Sequence, residues 1–155
     1  MSRYLVFDVG GTFVKYGLLD EQGTISEKGK FATHTQDKEL FLGDVKNTYN
    51  KYKNQSLKGI AMSIPGLVDV KSGMLVRGGS LKCMQNICIT KEVSDICDGL
   101  PVSVENDGKC AGLAEAWIGA AKAVPNCCVL AFGTAVAGAV IIDKKVLHGS
   151  NLIAG

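Results

Sequence analysis

Four short stretches of the chain combine residue types that handle anions and protons. Asp8-Val9-Gly10-Gly11-Thr12 closes a run of β-formers with an acid, two glycines and a hydroxyl, and Lys15 follows shortly after. Glycines let backbone N–H groups approach an anion closely, Thr12 adds an O–H and Lys15 a positive charge. An acid beside a phosphate makes sense when a magnesium ion stands between them, because that hard cation takes carboxylate and water ligands. On this reading Asp8, Gly10, Gly11, Thr12 and Lys15 bind a phosphorylated cofactor, with Asp8 at the metal. A plain hairpin with a Gly-Gly turn is the alternative.

The stretch Gly133-Thr134-Ala135-Val136-Ala137-Gly138 lies between two apolar runs, and either presents backbone donors to an anion or serves close packing. Glu105-Asn106-Asp107 stands where a strand gives way to a helix. A helix N-terminus keeps a carboxylate ionised, and the crevice at strand ends is the usual ligand position in open α/β sheets. An ionised Asp107 accepts a proton from a substrate hydroxyl, or the junction is an N-cap and nothing more. Gly59 to Asp69 (GIAMSIPGLVD) is a buried strand delivering a Pro65-Gly66 turn, which lines a pocket or merely turns.

The elements that position these residues follow from periodicity. Residues 3–9 and 14–19 are strand-like runs around a glycine turn, and a third strand is expected near 24–33. From Gln36 to Lys53, Phe41, Val45, Tyr49 and Tyr52 recur on one helical face, so an amphipathic helix is laid on the sheet. Residues 57–64 and 101–105 read as buried strands. A helix follows from Asn106, with Cys110, Leu113, Ala114 and Trp117 as its apolar face. Pro125 ends it, and 126–132 with 137–142 form a fresh strand pair. The boundary near 118–125 divides the chain into a domain over 1–120 and the incomplete beginning of another over 121–155.

Composition narrows the classes. The chain has 155 residues, with 17 Lys+Arg against 15 Asp+Glu and a formal net charge of +2, which supplies no basic stripe for a nucleic-acid backbone. The N-terminus reaches Asp8 too soon for a signal peptide, and the most apolar stretch, 127–142, is broken by glycines, so a cytoplasmic protein without a membrane partner is expected. The 6 cysteines form no C-x-x-C pair and are read as reduced, mostly buried thiols.

In this order the four stretches resemble the N-terminal half of the ROK family, bacterial sugar kinases and sugar-responsive repressors. DVGGTFVK at 8–15 looks like its first phosphate motif, GIAMSIPGLVD at 59–69 like its central signature and END at 105–107 like its catalytic element. AGLAEAWIG at 111–119 is similar to the helix that follows, and Gly133 to Gly138 sit where the second phosphate motif belongs. The resemblance implies an α/β protein with an actin-like ATPase, ribonuclease-H-like domain of mixed sheet and flanking helices, plus the start of a second similar domain. It implies transfer of phosphate from ATP, with Mg2+, to a hydroxyl of a hexose or N-acetylhexosamine. By the same analogy Asp107 is the general base, and Asn106 with Asp107 hydrogen-bonds the sugar. Asp8 helps hold magnesium, and Gly10, Gly11, Thr12, Gly133 and Thr134 surround the phosphates. Gly66 and Gly79 lie near the sugar through their backbones.

Two features depart from the family pattern. Ala135, Ala137 and Ala139 replace the further glycines of G-T-G-x-G-G, and their methyls are expected to crowd a phosphate. The chain stops at Leu152-Ile153-Ala154-Gly155, where the family continues to a Glu and a Gly-His that complete the sugar site, with the structural zinc cluster later still. It therefore reads as a truncated kinase of about half the expected length. Part of an apolar surface is expected to be exposed or to pair with another chain, and a homodimer is the expected assembly. The alternatives are a sugar-responsive regulator, although only seven residues precede Asp8, and a non-catalytic sugar-binding or interaction fragment.

Overall fold

The computed structural model describes residues 2–133 and 136–155. Strand alternation decides which face of the first hairpin is buried. In β1 (Arg3–Val9) Leu5, Phe7 and Val9 point into the core, and Tyr4, Val6 and Asp8 lie on the opposite face. β2 (Phe13–Asp20) pairs with it antiparallel, Val9 opposite Val14 and Asp8 opposite Lys15, and β3 (Ile25–Ala32) extends the sheet antiparallel as an edge strand.

α1 (Lys38–Tyr52) starts at Asp37, whose carboxylate accepts the Leu40 N–H at 3.0 Å and so satisfies one of the helix's open donors. The helix buries Phe41, Leu42, Val45, Thr48 and Tyr49. β4 (Leu57–Ile64) returns parallel to β1, with Ser63 beside Asp8 in the register. An antiparallel ribbon follows, β5 (Leu67–Asp69), β6 (Met74–Arg77) and β7 (Ile87–Cys88), leading into α2 (Ile89–Ile96). β8 (Val102–Asn106) completes a mixed five-stranded sheet in the order β3-β2-β1-β4-β8. Its core joins Leu5, Phe7, Ile60, Met62 and Ile64 of the central strands to Phe41 and Val45 of α1 and Ile89 and Val93 of α2.

α3 (Asp107–Trp117) is followed by β9 (Cys127–Phe132), β10 (Val136–Ile142) and β11 (Lys145–Val146), an antiparallel sheet in the order β11-β10-β9. The chain forms two compact units, Met1–Glu105 and Asn106–Gly155, and α3 packs in the second with β9, β10 and β11.

The expected helix is present, but its apolar face is rotated from the expectation. Leu113 and Trp117 are 36% and 52% exposed, whereas Gly108, Lys109, Gly112 and Ala116 are buried. The reason is close approach: a Cβ on Gly108 would lie 2.9 Å from Ala137 Cβ, and one on Gly112 2.4 Å from Ala139 Cβ. The alanine methyls thus fill the space that two helix glycines leave open. This corrects the expectation that Ala137 and Ala139 crowd a phosphate: both methyls are taken up against α3. Ala135 lies outside the described residues.

Candidate active site

In the first unit, β1, β2 and β4 place three polar side chains side by side. Asp8 is half-exposed; its Oδ1 accepts from Ser63 Oγ at 3.1 Å, and its Oδ2 is 3.5 Å from Lys15 Nζ. The strand register produces this group, because Asp8 has Lys15 as its antiparallel neighbour and Ser63 as its parallel one. With exposed partners in water, the ion pair itself contributes little to stability. Its consequence is local: Ser63 and Lys15 flank the carboxylate, one at each oxygen.

The turn beyond Asp8 is only partly open to a ligand. Gly10 N–H donates to Phe13 O at 3.0 Å, and Thr33 ties the turn from outside, its N–H to Thr12 O at 2.9 Å and its Oγ1 to Gly10 O at 2.7 Å. Gly10 therefore has no backbone donor left for an anion. Among the described residues the N–H groups of Gly11 and Thr12 have no partner, and these are the donors the turn offers. Gly11 lies beside Ser80: a Cβ there would sit 3.6 Å from Ser80 Cβ.

Gly66 and Gly79 meet each other. A Cβ on Gly66, at φ +104°, would lie 2.0 Å from Arg77 O and 3.0 Å from Gly79 N, and one on Gly79, at φ +55°, 3.2 Å from Gly66 N. Both positions combine a left-handed backbone with a chain crossing that has no room for a side chain. Asp69, at the end of the same motif, is spent on a turn. Ser72 Oγ at 2.7 Å and Lys71 N–H at 3.1 Å donate to it, and these bonds, the Ser72 one first, hold its carboxyl below the usual carboxylate range.

In the second unit, Asn106 caps α3: its Oδ1 accepts the Lys109 N–H at 3.2 Å. Its amide Nδ2 donates to Asp107 Oδ1 at 2.9 Å, and Gly108 N–H donates to the same oxygen at 2.9 Å. Asp107 is exposed at the first helical position, beside the open N–H groups of the first turn of α3. Among the described residues its Oδ2 has no hydrogen-bond partner. Among the described residues, one oxygen thus has two donors and the other has none. Gly133 is exposed at the bend after β9, and Thr134 lies outside the described residues.

The structure thus groups Asp8 with Lys15, Gly66 with Gly79, and Asn106 with Asp107. Ser63 and Ser80 are two neighbours that sequence reasoning left unassigned. Ser63 was within reach, because it sits one residue before the Ile64-Pro65-Gly66 turn on the face opposite Ile60, Met62 and Ile64. Its pairing with Asp8 depends on the parallel register, which no local pattern specifies. Among the described residues there is no cluster of three or more His, Cys, Asp or Glu side chains arranged to hold a metal. A half-exposed carboxylate without further acids beside it among the described residues fits a magnesium ion that keeps most of its water, and does not fit an all-protein cage.

Comparison with known proteins gives these groups a context. A β-glucoside kinase of Klebsiella pneumoniae is 34% identical over 153 residues, covering 99% of this chain and 50% of the relative. An N-acetyl-D-glucosamine kinase of Vibrio atlanticus is 32% identical over 155 residues, covering 98% of this chain and 50% of the relative. A ROK family glucokinase from Streptomyces griseus, solved with glucose and AMPPNP, matches with a TM-score of 0.86 at 25% identity, over 98% of this chain and 48% of that one. The mixed sheet with flanking helices is the actin-like ATPase architecture of these kinases. The chain spans about half the length of the curated relatives it matches. Residues 4–155 match the ROK family, and the chain belongs to it.

Proposed function

We propose that this chain serves ATP-dependent phosphorylation of a hexose or N-acetylhexosamine hydroxyl. The observation that carries the reading is Asp107, an exposed carboxylate at a helix N-terminus with Oδ1 held by Asn106 and Gly108 and Oδ2 open. In phosphoryl transfer the protein supplies mainly position and charge, and a carboxylate takes the proton of the attacking hydroxyl. Asp107 Oδ2 is the atom that receives that proton. The Asn106 amide fixes the carboxylate's rotation and offers hydrogen-bonding capacity to the sugar.

Asp8 would hold magnesium, with Ser63 and Lys15 orienting it, and the Gly11 and Thr12 N–H groups would meet phosphate oxygens; Gly133 and Thr134 complete the phosphate contacts. When bound, ATP with its magnesium supplies the phosphoryl group and neutralises its charge. Gly66 and Gly79 present backbone, not side chains, to the sugar. The relatives' substrates support a gluco-configured acceptor, either glucose, a β-glucoside or N-acetylglucosamine. The protein acts in the cytoplasm, without nucleic acid, and self-associates as a homodimer through apolar surface such as Leu130, Phe132 and Val136, which are 65%, 79% and 66% exposed.

ADP release from Mg-ATP, followed across a panel of hexoses, β-glucosides and N-acetylhexosamines, tests the reading. Release above background with one of these sugars is expected. An ATP consumption rate that no sugar changes contradicts it.

A further inference from the structure

Lys109, in the first turn of α3, is only 5% exposed. Lysine is rarely buried without an acid beside it, because an ammonium loses its hydration. Among the described residues no acid pairs with this one: its Nζ donates to the carbonyl oxygen of Leu152 at 2.7 Å. A long side chain buried here to reach one backbone carbonyl has a geometric task.

The surrounding bonds show what that task is. The backbone N–H of Lys109 is the donor that Asn106 Oδ1 accepts, so one residue grips the cap with its main chain and Leu152 with its side chain. The segment around Leu152 is fixed at its other end as well. Leu147 N–H donates to Val140 O at 2.8 Å, Ala154 N–H donates to His148 O at 3.1 Å, and a Cβ on Gly155 would lie 2.8 Å from Gly138 O. Residues 147–155 therefore form a loop seated on β10, and the Lys109 side chain ties it to the first turn of α3.

We propose that Lys109 is a positioning residue that straps residues 147–155 to the first turn of α3, so that the Asn106–Asp107 cap and this loop open and close as one unit. A sugar that binds at Asn106 and Asp107, a step that rests on the kinase reading, is then felt at Leu152.

Hydrogen exchange of the full chain, read by mass spectrometry, tests the strap. In a series of low urea concentrations, peptides covering 106–112 and 147–155 should share one opening free energy; two distinct values overturn the proposal, and this arm needs no variant. In Lys109→Met, which keeps the aliphatic volume but no donor, exchange in both peptides should quicken by about tenfold or more while β1 and β4 are unchanged. Lys109→Arg, which keeps donors, should restore most of the protection. Unchanged exchange of 147–155 in Lys109→Met, or equal behaviour of the Met and Arg variants, overturns the strap, because packing alone is served by either. With glucose or N-acetylglucosamine added, both peptides of the native chain should gain protection, and in Lys109→Met only 106–112. A native chain that gains none at 106–112 contradicts the sugar reading, while the two sugar-free arms still decide the strap.

Discussion

Gly43 and Gly112 both lie inside helices, yet the same change to alanine should move stability in opposite directions. In a helix interior alanine is favoured over glycine by about 1 kcal/mol, because glycine loses more backbone entropy on folding. At Gly43 in α1 an added Cβ meets nothing within 4 Å, so Gly43→Ala should gain that amount. At Gly112 in α3 the Cβ arrives 2.4 Å from Ala139 Cβ. Carbon atoms in contact prefer ~3.5–4.0 Å, so helix and strand must separate by about 1 Å along that line. Ala139 has no rotamer that yields, which places the cost near the top of the ~1–3 kcal/mol range for overpacking. Subtracting the propensity gain leaves Gly112→Ala about 2 kcal/mol less stable than the native chain. Urea unfolding followed by the fluorescence of Trp117, the only tryptophan and itself on α3, reads this directly. Adding Ala139→Gly should recover most of the loss, since it removes the opposing methyl. A Gly112→Ala midpoint equal to or above native would refute the close-packed α3–β10 contact.

The backbone crossing at Gly66 makes a harsher prediction: with φ +104° and Arg77 O at 2.0 Å from a new Cβ, Gly66→Ala should cost about 3 kcal/mol or more. Gly99→Ala, at φ +74° but with nothing within 4 Å, should cost about 1 kcal/mol, and thermal unfolding separates the two. Burial, with the hydrogen bond to Asp98 second, pushes the Tyr49 hydroxyl from 10.0 to about 12. A pKa raised on folding means that the unfolded chain ionises first. The contribution of Tyr49 to stability is therefore fully present below pH 10 and should be lost as pH rises from 10 to about 12, and Tyr49→Phe should flatten that fall in denaturation midpoints. Cys97 is fully buried and its thiol is pushed up to about 11, chiefly by burial, whereas Cys128 is exposed; a thiol reagent at neutral pH should label Cys128 in the native chain and Cys97 only on unfolding.

Much of the fold was legible where one face is buried. The alternation of Leu5, Phe7 and Val9 and the spacing of Phe41, Val45 and Tyr49 fix β1 and α1 within a residue or two. The periodicity assigns no element over 70–100 although Ile89, Val93 and Cys97 recur at helical spacing and are buried, because short strands of two to four residues leave little pattern around them. The face of α3 was misjudged for a physical reason. Leu113 and Trp117 carry the hydrophobic signal, but Gly108 and Gly112 allow β10 to approach so closely that the small residues take the buried side. At the candidate site, Asn106 as cap was readable from the strand-to-helix junction. The Ser63–Asp8–Lys15 group depends on which strands become neighbours, and the loss of the Gly10 donor to Phe13 depends on the turn's hydrogen bonding, neither of which residue types reveal.

The central claim, that Asp107 takes the proton of a sugar hydroxyl, is tested most directly by Asp107→Asn in two assays side by side. Asparagine preserves the size of the side chain and an oxygen for the Asn106 and Gly108 donors, so sugar binding by calorimetry should stay within a few-fold of native. Sugar-dependent ADP release should fall by about 10²–10⁴-fold, the usual contribution of a positioned general base. Sugar-dependent release that survives the substitution at near-native rate would contradict the assignment of Asp107 and, with it, the account of how this chain acts.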